Sequence, residues 1–154
     1  MIVTVCVADK VTPTNRVYSK ELLQAQVDRL KPIIDGRGML CELGPVTDSI
    51  IHFTNVSHSI EKLWMDDDKL MAEVKILSTP AGQTLQSVLN YNPNGVGFKM
   101  VGVGNGRVDD QGILQVGSSY KLVQIEAVLE PGKNLSKQHK YRSIDDPWLI
   151  DLIE

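Results

Sequence analysis

Cysteine is nearly missing from this 154-residue chain, which has two, Cys6 and Cys41. Two thiols cannot build the disulfide lattice of a small secreted domain, and they have no metal-ligand spacing, so a reducing, cytosolic origin is expected. Basic tracts are missing too. Sixteen Lys and Arg stand against nineteen Asp and Glu, a net charge of -3, and no cluster could track a phosphate backbone, which argues against nucleic acid as a direct partner. No apolar run is long enough to span a membrane. The apolar start Met1–Val7 lacks a basic flank and meets charge at Asp9, too short for a signal peptide. Internal repeats and low-complexity tracts are also absent. What is left is a chain of single-domain length, able to bury about 70% of its extended surface around one core.

Glycine is concentrated in one place. Five of the thirteen residues from Asn94 to Gly106 are glycine, with apolar Val96, Phe98 and Met100 alternating among them as in a strand. A dinucleotide-binding loop would open a helix after such a run, but Arg107–Gly112 reads as a hairpin turn. A glycine-rich strand kinked against a neighbour is the better reading.

The rest of the chain alternates short strands with two helices. Residues 2–7 favour a strand, 11–15 a loop, and 20–34 an amphipathic helix with Ser19 as its N-cap, Gly36 as its end and Pro32 distorting its last turn. Residues 39–43, 49–53 and 56–60 are candidate strands. Asp66, Asp67 and Asp68 form a solvated turn without the spaced ligands of a calcium loop. Leu70, Ala72, Val74 and Ile76 then alternate strictly with Lys69, Met71, Glu73 and Lys75. Thr79-Pro80 opens a second helix over 80–91 that buries Ala81, Leu85, Val88 and Leu89. Residues 113–116 and 120–128 close the domain. The pattern predicts an α+β fold, an antiparallel β-barrel-like sheet flanked by helices. No metal or cofactor is expected.

Five segments in order resemble the phage prohead core (head maturation) serine protease family. They are Leu40-Cys41-Glu42-Leu43, the apolar run to Trp64, Leu70 to Gly82, the strand at 95–104, and Tyr120 to Pro131. The resemblance implies an assemblin-like barrel over residues 1–131, with 132–154 as a C-terminal tail that is docked or partner-binding. Members are endopeptidases that cleave scaffold and coat precursors, using a serine, a histidine base and an acid that orients it. Where the family pattern has Gly-Val-Ser-Ser-Arg-Gly, this chain places Gly97 at the serine. Where the family has Gly-Glu-Leu-x-His-Pro, this chain places Pro45 at the histidine. Glu126 stands for the acid. Both reactive side chains are replaced, at separate places in the chain.

Substitutes are few. His58 lies between Ser57 and Ser59, but neighbouring strand residues point to opposite faces and cannot pair with one another, so a strand histidine at a barrel face is favoured over a relocated base. His52, His139 and Ser118-Ser119 fall in no motif, and Cys41 reads as a buried structural thiol. The end Leu152-Ile153-Glu154 fits the hydrophobic-x-Glu rule of such proteases, as does Leu40-Cys41-Glu42. The resemblance therefore implies a non-catalytic, prohead-protease-like structural protein of a tailed-phage head, made in the host cytoplasm. It would bind the major capsid protein or the inner core through Trp148, Leu149 and Leu152. The alternative is an active serine endopeptidase whose site is displaced or was mutated.

Overall fold

A computed structural model of the protein describes residues 1–129. Strand β1 (Ile2–Val7) leads through β2 (Arg16–Val17) to α1 (Lys20–Arg37) and β3 (Met39–Glu42). Then come β4 (Val56–Asp66), β5 (Lys69–Ile76), α2 (Pro80–Tyr91), β6 (Val96–Val103), β7 (Gly106–Val108), β8 (Leu114–Val116) and β9 (Lys121–Leu129).

Helix α1 starts where its cap predicts, with the Ser19 hydroxyl accepting from the Leu22 amide at 3.1 Å. It runs on past residue 34, because Pro32 lies on the exposed face and costs one backbone bond without a clash in the core. Gly38, not Gly36, ends it. Gly38 has a φ of 72°, and a Cβ there would lie 2.6 Å from the Ser59 hydroxyl. In α2 the buried stripe is Gly82, Leu85 and Leu89. Gly82 is needed for close approach, since a Cβ would sit 1.9 Å from the Leu77 carbonyl.

The strands form three sheets, with orders β1-β5-β4-β3, β2-β8-β7 and β6-β9. Among the described residues none closes into a barrel, which corrects the barrel-like expectation while leaving the α+β class intact. The open seam lies between β3 and β9, where one isolated bridge, Leu43 to Ala127, joins the backbones. Elsewhere side chains occupy the ladder positions. Cys41 Sγ accepts from the Ile125 amide at 3.4 Å, His58 Nε2 meets the Ile125 carbonyl at 2.7 Å, and the Glu42 amide donates to Gln124 Oε1 at 2.8 Å. Helix α1 does the same at the start of β9. Gln26 bonds the Tyr120 carbonyl and the Leu122 amide at 2.9 and 3.0 Å.

Residues 49–53, expected as a strand, belong to no sheet and lead into a short 3-10 turn at Phe53–Asn55. Ile50 and Phe53 are exposed, and the Asp48 carboxylate turns the chain by accepting from the Ile50 amide. One core joins α1, α2, the inner faces of β4 and β5, and Phe98, Met100, Ile125 and Ala127 of the β6–β9 ribbon.

Candidate functional site

Antiparallel pairing sets Gly97 opposite Val128, Lys99 opposite Glu126 and Val101 opposite Gln124. Paired residues and those two apart share a face, so these six line the outer face of the ribbon, while Phe98, Met100, Ile125 and Ala127 face the core. The segment Gly44–Val46 crosses that outer face. The Val46 amide donates to Glu126 Oε2 at 2.7 Å, and the buried Val46 side chain clusters with Val101. A Cβ on Gly44 would lie 2.6 Å from Glu126 Oε2 and 2.7 Å from Val128 Cγ1. Gly97, Pro45 and Glu126, far apart in sequence, thus share one face of the fold.

Glu126 is fully buried. Its Oε1 has no hydrogen-bond partner among the described residues. Burial pushes the carboxyl up to about 7. The Val46 amide draws it down, the nearby Glu42 adds to the rise, and Lys99 offsets part of it. Glu42 is buried as well, and its Oε2 accepts from Gln124 Nε2 at 2.6 Å. Two acids therefore share the interior of one seam.

His58 sits on the inner side of the same seam. Its Nε2 faces the Ile125 carbonyl, which can only accept, so that nitrogen carries the proton. Nδ1 then accepts from the Ser57 hydroxyl at 2.8 Å. The expectation that neighbouring strand residues cannot pair is wrong here, because a short hydroxyl beside Nδ1 reaches across the strand edge. The contact resembles a nucleophile bonded to its base. Both residues are 0% exposed, and the ring edge packs on Phe98 at a centroid distance of 5.5 Å. Burial pushes the imidazole down to about 4, against the pull of the Ile125 carbonyl, which keeps it neutral.

The remaining candidates are dispersed. Burial raises the Cys41 thiol to about 12, which leaves it inert. His52 is exposed and paired with Asp48 at 2.9 Å, a bond that raises its pKa. Ser119 bonds Asn105. His139, Trp148, Leu149 and Leu152 lie outside the described residues, as does the proposed boundary at 131. No group of three metal-ligating side chains occurs among the described residues. An open cleft of about 790 Å³ between β5 and α2 mixes Glu61 and Glu73 with Lys75 and the Met1 amine, without a convergent set.

Sequence reasoning missed the buried polar residues Gln26, Glu42 and Gln124. For the last there was a signal. Gln124 and Glu126 stand two apart in an otherwise apolar strand, so both fall on one face.

No protein-family profile matches the chain, and no curated protein sequence matches it. Among solved structures, the chain is similar to the bacteriophage T4 capsid assembly protease, gp21. The TM-score is 0.78 at 19% identity, covering 85% of this chain and 82% of that one. The likeness is one of fold.

Proposed function

We propose that the chain is a structural protein of a tailed-phage head that keeps the capsid-protease fold without its chemistry and binds the major capsid protein or the inner core. One observation carries this reading. On the face that carries Gly97, Pro45 and Glu126, Gly97 offers no nucleophile, Pro45 offers no imidazole to activate one, and the Glu126 carboxyl accepts from the Val46 backbone where a histidine would be oriented. Loss of either reactive member of such a unit typically costs on the order of a millionfold in turnover.

The rival reading, an active serine endopeptidase with a displaced site, is favoured by the Ser57–His58 contact alone. Full burial of both residues argues against it. A fluorophosphonate probe separates the two. The folded protein is expected to stay unlabelled, and labelling at Ser57 or any other single serine would overturn the structural reading. Mass spectrometry of mature virions should find the chain intact, in fixed ratio to the major capsid protein. The apolar end of the tail, Trp148 to Ile153, is the expected contact, with Trp148 as an aromatic anchor. Replacing Trp148 and Leu149 by alanine should abolish capsid association, as read by co-sedimentation with capsids. Unchanged association would remove the tail from the interface.

A further inference from the structure

Residues 43–55 pass from β3 to β4 outside every sheet, and part of this run lies over the outer face of the β6–β9 ribbon. From Pro45 to Asn55 the run is exposed or half-exposed with a single exception, Val46, which is 7% exposed. Leu43 at its start packs against the main core, and past it the crossing is fastened at few points among the described residues. The Gly44 amide donates to the Ala127 carbonyl and the Val46 amide to Glu126 Oε2, both at 2.7 Å, and Val46 clusters with Val101 apart from the main core. Beyond that, the run bonds within itself, through Asp48 to His52 and Asp48 to the Ile50 amide. The fastening carboxyl has no exposure, and one of its oxygens has no partner among the described residues.

We propose that residues 43–48 form a proton-controlled strap, closed over the ribbon while Glu126 is protonated and released when Glu126 gives its proton to water. An ionised carboxylate in this position has lost its hydration and receives one backbone bond in return. Opening of the strap restores the water. The groups around Glu126 act in both directions. Glu42 from β3 repels the anion, and Lys99 from β6 attracts it. His58 from β4 is neutral and committed to the Ile125 carbonyl, while Asp48 at the end of the strap is paired with His52 beyond it. Burial and Glu42 outweigh the rest, since the carboxyl stands at about 7 against an ordinary 4.5. The difference sets a ceiling of roughly 300-fold on the pH-driven gain in opening.

Amide hydrogen exchange tests the strap, with Val46 protection followed from pH 5 to 8.5 and corrected for intrinsic exchange. Protection in the unmodified protein should fall on the order of 100-fold across that range. Glu126→Gln should hold it constant, and Glu42→Gln should reduce the fall. Constant protection in the unmodified protein, or an equal fall in Glu126→Gln, overturns the proposal. Should Glu126→Gln fail to fold, the carbon-13 titration of the Glu126 carboxyl decides. A midpoint near 7 that coincides with the loss of Val46 protection supports the strap, and a midpoint near 4.5 overturns it.

Discussion

Two buried titratable side chains oppose each other in their effect on stability. Glu126 has its pKa raised from 4.5 to about 7, so the fold prefers its neutral form. That contribution is complete below pH 4.5 and is lost as pH rises through 7, at most roughly 3 kcal/mol, and less by whatever opening of the strap returns in hydration. His58 has its pKa lowered from 6.5 to about 4. Its contribution, of similar size, is complete above pH 6.5 and is lost as pH falls through 4. Between 4.5 and 6.5 the two slopes cancel. Glu126→Gln should therefore gain stability relative to the unmodified protein, by up to roughly 3 kcal/mol, as pH rises from 4.5 past 7, then gain no more. Urea unfolding at stepped pH measures it.

Secondary-structure elements are joined in this fold by polar side chains as much as by backbone ladders. Gln26 on α1 takes the place of a neighbouring strand for Tyr120 and Leu122, and its Oε1 also receives the Arg29 guanidinium, which itself donates to the Leu122 carbonyl at 2.7 Å. Removing the amide leaves a buried carbonyl and a buried amide unsatisfied. Gln26→Ala should cost roughly 3 kcal/mol by urea titration. Glu in its place, which cannot donate to the Tyr120 carbonyl, should restore less than half of that loss. The two helices were legible because their caps are local, Ser19 and Thr79 each accepting from an amide three residues on. The segment 49–53 was misread because Ile50, Ile51 and Phe53 give it the β-branched and aromatic content of a strand, while no strand among the described residues pairs with it.

The whole molecule rests on the seam between the four-stranded sheet and the β6–β9 ribbon. With one backbone bridge there among the described residues, hydrogen-bonded coupling depends on Cys41, Glu42, His58 and Gln124, beside the shared apolar core. Gln124→Ala would leave the buried Glu42 carboxylate without its side-chain donor, at a cost of roughly 3 kcal/mol. The cost should show as earlier exchange of the β6 and β9 amides than of those in β4 and β5. Uniform loss of protection in all four strands would mean that the two sheets unfold as one unit. A seam made of side chains also explains why the pattern predicts a barrel-like sheet. Strand counts and turn signals carry no record of which strand edges are bonded by backbone.

The sequence by itself determined the α+β class, the helix starts, the strict inward row of β5, and the glycine and proline at the two positions of the resemblance. Each of these depends on neighbours a few residues away, through caps, periodicity and residue identity. Only the tertiary structure decided that Gly97, Pro45 and Glu126 share a face, that Val46 lies over Glu126, that Ser57 and His58 bond out of reach of solvent, and that the sheets of the described residues do not close into a barrel. These outcomes depend on pairing register and desolvation between segments as many as 80 residues apart, such as Val46 and Glu126, and such distances leave no periodic trace in the chain.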